Sequence, residues 1–260
     1  MNDAADRPQT LSVGADARPI ALRLTDGAAN KPGVLWCGGF LSDMRGSKAE
    51  ALAQWGRANG RRIVRFDYSG HGESGGNFEH GTISRWAEEA LAVLDTVCIG
   101  PQIVVGSSMG GWIALLLARA LATRGGAGAG KLKALVLIAP APDFTEELMW
   151  KAMPEDVRAV LLHDGKWVRP SEYGPGMTIT RGLIEDGRQN LVLGTPFAVG
   201  CPVRILQGVA DPDVPWQHAL RLVSCLAEDD VVLTLIKDGD HRLSRAEDIE
   251  RIIAAIEDVT

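Results

Sequence analysis

Gly106-Ser107-Ser108-Met109-Gly110-Gly111 is the stretch of this sequence that decides the fold. An apolar run suited to a strand (residues 102–105) precedes it, and a long apolar run with helical character (residues 112–121) follows. A Gly-x-Ser-x-Gly pattern between a strand and a helix predicts a sharp turn that presents its central hydroxyl at the helix N-terminus. Unpaired N–H groups there favour a developing negative charge. Ser108 is therefore the candidate nucleophile, whereas Ser107 lacks glycines at the required spacing and is interpreted as a small spacer.

Length and composition predict one large globular α/β domain. The chain has 260 residues, of which 46% are hydrophobic and 23% charged, as is ordinary for a globular protein with a sizeable core. A net charge of −6 argues against binding to nucleic acid. Residues 1–10 contain no apolar core of a signal peptide and make a poor transit peptide, and no apolar run approaches the roughly 18 residues of a membrane span. We therefore expect no signal peptide and no transmembrane segment.

The cysteines predict neither a metal site nor a disulfide framework. They are scattered, and none forms a Cys-x-x-Cys pair: Cys37, Cys98, Cys201 and Cys225. We expect four reduced thiols and no bound metal, and reduced thiols predict a cytoplasmic location.

Segments with strand and helix patterns alternate through most of the chain. This alternation predicts a mostly parallel sheet with helices on both faces. The patterns Ser47-Lys48-Ala49-Glu50 and Ser244-Arg245-Ala246-Glu247 are capping boxes, and each predicts the start of a helix.

Residues 143–200 interrupt that alternation. Within them, residues 146–153 and 155–162 have helical patterns, residues 167–177 suggest a loop or hairpin, and residues 180–193 suggest another helix. The sequence therefore predicts an α/β core made of residues 1–142 and 201–260, with residues 143–200 inserted as a small lid. We expect the lid to cover the carboxyl ends of the strands, where open α/β sheets bind ligands.

A serine nucleophile needs a base to take its proton and an acid to orient that base. In a fold of this class the expected chain order is Ser, then Asp or Glu, then His. His241 follows both the Ser108 turn and the last predicted strand, so it is the candidate base, with His71 as a weaker alternative. Asp211, on a tight turn after a strand, is the candidate acid, and Asp213 and Asp143 remain alternatives.

Acyl transfer also requires N–H donors for an oxyanion. The N–H of Met109, the residue after the candidate nucleophile, is one candidate donor, and the N–H of Phe40, in the loop after an earlier strand, is the other. Apolar side chains near the lid are candidates for a substrate pocket, although helical apolar spacing is also typical of plain packing: Trp112, Leu148, Met149, Trp150 and Met153.

One glycine-rich loop imitates a dinucleotide-binding fingerprint. Gly70-x-Gly72-x-x-Gly75 follows a predicted strand, but no helix begins at its third glycine and no acid ends a second strand at the required distance. We therefore expect no nucleotide cofactor.

Together these motifs resemble the serine α/β-hydrolase superfamily, in order and over nearly the whole chain. The segments that carry the resemblance are residues 38–40, 66–74, 106–111, 208–215 and 239–241. The resemblance implies an α/β-hydrolase fold, a triad of Ser108, Asp211 and His241, an ester or thioester substrate and no cofactor.

Further segments resemble one branch of that superfamily, the palmitoyl-protein thioesterases and acyl-glucuronide esterases. They are residues 65–70, 100–112, 201–204 and 214–216, whereas the lid matches less well. This likeness implies a small acyl ester or thioester, or an S-acylated protein, as substrate. A carbon–carbon bond hydrolase or an acyltransferase using the same residues, and a non-catalytic ligand-binding protein, remain alternatives.

Overall fold

A computed structural model of the protein describes residues 6–125, 130–170, 176–226 and 228–260. Within them, ten strands and seven α-helices are numbered in chain order. The strands are β1 (Arg7–Val13), β2 (Arg18–Thr25), β3 (Gly33–Cys37), β4 (Ile63–Phe66), β5 (Gln102–Ser107), β6 (Leu132–Ile138), β7 (Lys166–Arg169), β8 (Met177–Thr180), β9 (Val203–Gly208) and β10 (Val231–Ile236). The helices are α1 (Ser47–Asn59), α2 (Ile83–Thr96), α3 (Met109–Thr123), α4 (Glu155–Asp164), α5 (Arg181–Arg188), α6 (Trp216–Cys225) and α7 (Ala246–Asp258).

The main sheet has eight strands in the order β1-β2-β4-β3-β5-β6-β9-β10. Strands β4, β3, β5, β6, β9 and β10 run parallel, whereas β1 and β2 join the edge in antiparallel pairing. Because the parallel strands all end at the same side, the loops that follow β3, β5, β9 and β10 meet along one edge. The predicted mostly parallel α/β sheet is confirmed.

Alternate residues of the central strands feed two hydrophobic cores. In β3, Leu35 points into the core under α2, α3 and α6, and its neighbours Val34 and Trp36 point into the core under α1 and α7. Every residue of β3, β4 and β5 is buried, which is why these strands read as continuous apolar runs rather than alternating ones. Helices therefore cover both faces of the sheet, as predicted.

Residues 143–200 lie between β6 and β9, which are neighbours in the sheet. They contain a π-helical segment (Thr145–Trp150), α4, the antiparallel pair β7–β8 and α5. The predicted hairpin over residues 167–177 corresponds to β7 and β8, and residues 171–175 of it lie outside the described residues. The helix predicted over residues 180–193 ends early, at Arg188, because the Asp143 carboxylate accepts the N–H groups of Val192 and Leu193 outside any helix.

Both capping-box predictions place a helix correctly but identify the wrong cap. At α1 the N-cap is Gly46 and Ser47 is already helical, because Glu50 is drawn instead into an ion pair with the buried Arg65. At α7 the cap is shifted by one residue, so that the Asp248 carboxylate accepts the N–H of Arg245. The local pattern is thus overridden at α1 by an ion pair with a residue distant in sequence, and at α7 by the neighbouring Asp248 carboxylate.

Candidate active site

Ser108 sits on a strained turn between β5 and α3. Its backbone has φ +54° and ψ −116°, a conformation that L-residues adopt only where the surrounding structure enforces it. Glycines permit the turn: a Cβ on Gly106 would lie 2.3 Å from the Gly110 carbonyl oxygen, and one on Gly110 would lie 2.0 Å from the Cys37 carbonyl oxygen. The close packing of β3, β5 and α3 thus holds the Ser108 side chain at the sheet edge.

Three side chains distant in sequence form a hydrogen-bonded chain at this edge. The His241 Nε2 atom lies 3.0 Å from the Ser108 Oγ atom. The other ring nitrogen, Nδ1, lies 2.8 Å from the Asp211 Oδ2 atom. Because a carboxylate only accepts, the Nδ1–H donates to Asp211 and Nε2 is left to accept the proton of Ser108. The structure therefore brings together the three residues that the sequence nominated.

The turn after β9 fixes the Asp211 carboxylate on both of its oxygens. Oδ1 accepts the backbone N–H groups of Asp213 and Val214, at 2.8 and 2.9 Å. Oδ2 accepts the side-chain amide of Gln207 at 3.2 Å besides the imidazole of His241. With every lone pair directed at a donor, the carboxylate has one orientation, and it passes that orientation to the imidazole.

Burial and hydrogen bonding act on Asp211 in opposite directions. Burial, taken alone, raises the pKa of the Asp211 carboxyl group, because the charged form loses hydration. The hydrogen bond from His241 and those from the Val214 and Asp213 N–H groups more than offset this, so the pKa lies below its ordinary value. Asp211 is therefore ionised at neutral pH although its side chain is fully buried.

A close approach of backbones holds the His241 and Asp211 turns together. A Cβ on Gly208 would lie 2.3 Å from the carbonyl oxygen of Gly239, and the Ala210 N–H donates to that same carbonyl at 3.0 Å. The loop after β9 and the loop after β10 thus share a contact that only glycine allows.

The two residues that carry the candidate oxyanion donors, Phe40 and Met109, line the same cavity as Ser108. Met109 is the first residue of α3, so its N–H is one of those that a helix leaves unpaired. The loop after β3 approaches closely, since a Cβ on Gly39 would lie 3.4 Å from the Ser108 Cβ. Phe40, the next residue, lines the space around Ser108, and its ring packs at 5.0 Å from Phe78 and 5.6 Å from Phe144. This aromatic contact fixes the loop that carries the Phe40 N–H.

Two cavities meet at Ser108 and His241. The one that we call the polar cavity has a volume of about 450 Å³ and is lined by hydroxyls and charges from the loop after β3, the start of α1 and the turn after His241. The other, the apolar cavity, has a volume of about 310 Å³. Its walls are mainly apolar and include Phe144, Leu148, Met149, Met177 and Val214. The polar cavity also contains the apolar rings of Trp36 and Phe40, so the two cavities differ chiefly in the hydroxyl groups and cations that the first one adds.

The residues predicted to line a substrate pocket divide into three groups. Leu148 and Met149 line the apolar cavity beside Ser108. Met153 lines a separate space further along residues 143–200. Trp112 is fully buried and donates its indole N–H to the Asn190 carbonyl, and Trp150 lies between the guanidinium groups of two arginines. The structure thus brings two of the five to Ser108.

The weaker alternatives have other roles in the structure. Asp143 holds the backbone of residues 192–193, and Asp213 is an exposed residue whose N–H supports Asp211. His71 is buried, and its ring packs against aromatic neighbours at 5.2 to 5.7 Å. Burial lowers the pKa of His71, which favours a neutral packed imidazole.

Among the described residues, the side chains with metal-ligand geometry are Asp211, Asp213 and His241, whose ligand atoms lie within 4.8 Å of one another. Two of the three are already hydrogen-bonded to each other, so a metal there would compete with the contact to Ser108. Burial raises the pKa of Cys37, Cys98 and Cys201 to about 12 and also raises that of Cys225, which favours the neutral thiol at each of these positions.

Sequence reasoning missed two cations in the polar cavity, Lys48 and Arg242. The Lys48 ammonium group donates to the carbonyl oxygen of Arg242, the residue after His241, and burial lowers the pKa of Lys48 to about 8. The position of Arg242 next to the candidate base was the available signal for one of them. Nothing in the local sequence marks Lys48, because α1 is brought to the site only by the tertiary fold.

Comparison with known proteins agrees with this architecture. The chain is 37% identical to the palmitoyl-protein thioesterase ABHD10, mitochondrial, of Mus musculus over 230 residues, which cover 88% of this chain and 75% of that one. The human protein of that name is 34% identical, over 88% and 72% of the two chains.

Solved structures are also similar to this chain over nearly its whole length. A crystal structure of a protein from Agrobacterium vitis S4 is 50% identical and superposes with a TM-score of 0.91 over 98% of each chain. The structure of mouse alpha/beta hydrolase domain-containing protein 10 is 35% identical, with a TM-score of 0.84 over 97% of each chain. The family model described as "Alpha/beta hydrolase family" matches residues 34–259. This chain therefore belongs to the alpha/beta hydrolase family.

Proposed function

We propose that the protein is a serine hydrolase that cleaves carboxylic esters or thioesters through a covalent acyl-enzyme on Ser108. The observation that carries this proposal is the chain of hydrogen bonds from Ser108 through His241 to Asp211, at the junction of two cavities. The similarity to proteins named palmitoyl-protein thioesterase supports the same reaction class.

In the first half of the reaction, the Ser108 Oγ atom attacks the carbonyl carbon and its proton passes to the Nε2 atom of His241. The ionised Asp211 stabilises the imidazolium that forms and keeps the ring in place. The tetrahedral intermediate then collapses: the bond to the leaving oxygen or sulfur breaks, and His241 returns the proton to that atom. The acyl group remains on Ser108.

In the second half, a water molecule attacks the acyl-enzyme. His241 takes a proton from this water, and the resulting tetrahedral intermediate expels the Ser108 oxygen, which recovers its proton from His241. A carboxylic acid is released and the enzyme returns to its starting state, so no cofactor is required.

In both intermediates the carbonyl oxygen carries a negative charge. We assign its stabilisation to the N–H groups of Met109 and Phe40, which flank Ser108 from α3 and from the loop after β3. The N-terminus of α3 adds the positive end of a helix dipole at the same point.

The two cavities suggest how the substrate is oriented. The apolar cavity suits the acyl group, and the polar cavity, with the cations Lys48 and Arg242, suits the leaving group. This arrangement fits the acyl-protein thioesterase and acyl-glucuronide esterase types, whose leaving groups are polar. We also propose that residues 143–200 act as a lid, because Leu148, Met149 and Met177 of this insertion form one wall of the apolar cavity.

Turnover of a p-nitrophenyl ester and of a palmitoyl thioester tests the proposal. Ser108→Ala should lower kcat by about 10⁶-fold, the loss typical of removing a serine nucleophile, while Ser107→Ala, one residue earlier, should retain most of the activity. Equal rates for Ser108→Ala and wild type would refute it. A carbon–carbon hydrolase or an acyltransferase would show itself in product analysis with competing alcohols, and a binding protein would show no turnover at all.

The expectation of a cytoplasmic location stays a prediction. The mammalian relatives are named mitochondrial, and microscopy of the tagged full-length chain in its own cells distinguishes the two compartments. Among the helices of the described residues, none combines the length and apolarity needed to cross a membrane.

A further inference from the structure

A second apolar space adjoins the apolar cavity on the side away from Ser108. This space, which we call the outer cavity, has a volume of about 250 Å³. Leu148, Met149 and Arg169 line both cavities, so these three side chains form the boundary between them. Beyond the boundary the outer cavity is lined mainly by Met153, Trp167 and Ile179.

The boundary is built from side chains that can let an alkyl chain pass. Met149 is an unbranched thioether with three rotatable bonds, so it can change rotamer at low cost. Arg169 is exposed, and no carboxylate in the described part of the chain pairs with it, so its alkyl stem can line the passage with the guanidinium in water. Leu148 and Met149 both belong to the π-helical segment, and of the two Met149 has the more flexible side chain, so it is the better candidate for a residue that opens and closes the passage.

The volumes define two ranges of acyl-chain length. An apolar cavity of about 150 Å³ accommodates the six carbons of benzene. At that ratio the apolar cavity, at about 310 Å³, holds roughly twelve carbons. A longer chain exceeds the apolar cavity, and the outer cavity, at about 250 Å³, offers room for the remainder.

We propose that Met149 determines acyl-chain length: chains of up to about a dozen carbons end in the apolar cavity, and longer ones pass Met149 into the outer cavity. The proposal rests on the proposed function for the identity of the acyl side. It adds a role for Met149 at the boundary and for the outer cavity beyond it, and it predicts that hydrolysis of long chains depends on residues that hydrolysis of short chains does not need.

The test is hydrolysis of p-nitrophenyl octanoate and palmitate by variants of the full chain. Met149→Trp should lower kcat/KM for palmitate by roughly 10²-fold more than it lowers kcat/KM for octanoate, the difference expected when about four methylenes stay in water. Met153→Trp fills the outer cavity alone and should also affect palmitate selectively. Met149→Leu conserves volume and should keep the wild-type ratio of kcat/KM for the two esters. Leu162→Trp adds the same indole at an exposed site of α4 and should behave like wild type.

A binding measurement separates failure of this proposal from failure of the proposed function. Ser108→Ala should bind both p-nitrophenyl esters without turnover, and adding Met149→Trp should weaken binding of the palmitate ester by roughly 10²-fold more than binding of the octanoate ester. If the wild type hydrolyses neither ester but Met149→Trp still weakens palmitate binding selectively, the proposed hydrolase function is refuted and the role of the outer cavity stands. Equal losses for both chain lengths in Met149→Trp and Met153→Trp, or no loss for either, would overturn the proposal.

Discussion

Replacement of Asp211 by asparagine tests how the carboxylate orients the base. In the wild type four donors point at this side chain: the N–H groups of Asp213 and Val214 on Oδ1, and Gln207 and His241 on Oδ2. An asparagine offers one acceptor and one donor, so its NH₂ group must face one of these pairs. The backbone donors cannot rotate, and therefore the amide oxygen should remain on them and the NH₂ group should turn towards His241.

That orientation changes the tautomer of the base. An NH₂ group donating to the Nδ1 atom of His241 places the ring proton on Nε2, which then cannot accept the proton of Ser108. In a triad, an aspartate-to-asparagine change that fixes the wrong tautomer costs about 10⁴-fold in kcat. At 1.36 kcal/mol for each tenfold, this is about 5 kcal/mol of transition-state stabilisation.

The assay is pre-steady-state release of p-nitrophenol at pH 7 by the wild type, Asp211→Asn and Asp213→Asn. The last variant is a matched control, because Asp213 supports Asp211 through its backbone N–H and its own side chain is exposed. We expect the loss for Asp211→Asn and near-normal acylation for Asp213→Asn. A rate for Asp211→Asn within tenfold of wild type, with the fold intact, would refute the assigned role of Asp211.

Three further predictions concern stability and pH. Gly110→Ala places a Cβ at 2.0 Å from a backbone carbonyl and should lower Tm by roughly 5 °C or more in calorimetry, whereas Gly182→Ala, whose Cβ would meet its nearest atom at 4.0 Å, should not. The pKa of Asp211 is lower in the folded state than in the unfolded state, so its stabilising contribution is present at neutral pH and is lost as pH falls through the folded value. In denaturant titrations between pH 6 and about 3, the free energy of unfolding should therefore fall less in Asp211→Asn than in the wild type. Burial lowers the pKa of Lys48 to about 8, so its positive charge is lost above that pH. The ratio of kcat/KM for an ester whose leaving group carries a carboxylate to kcat/KM for a neutral ester should therefore decline above about pH 8, and this decline should be absent in Lys48→Met.

Local signals in the sequence were sufficient for the elements that carry Ser108, Asp211 and His241. The glycines around Ser108 are required because β3, β5 and α3 pack so closely that an added Cβ would lie about 2 Å from a backbone atom, and this requirement is visible in the sequence as a Gly-x-Ser-x-Gly pattern. Gly208 works in the same way, because its approach to Gly239 joins two loops that both end parallel strands. Chain order then paired Asp211 with His241 as candidates, and the structure places these two side chains in hydrogen-bond contact.

Tertiary contacts decided what local patterns could not. Glu50 has the spacing of a capping residue but pairs with Arg65 from β4, and the helix after Thr180 ends at Arg188 because the chain beyond it is tied to Asp143. The environment of Trp112 is likewise decided by tertiary packing. Its apolar helical spacing is equally consistent with a pocket or with packing, and the structure buries it with its indole donating to a backbone carbonyl.

The most direct test of the central claim is identification of the residue that carries the acyl group. The protein is mixed with a p-nitrophenyl ester, quenched in acid during the burst of p-nitrophenol release, and mapped by peptide mass spectrometry. Our account predicts one acyl adduct, on Ser108, that is lost in Ser108→Ala and decays with the rate of product release. Formation of product with the adduct on another residue, or with no adduct while a burst is observed, would contradict it.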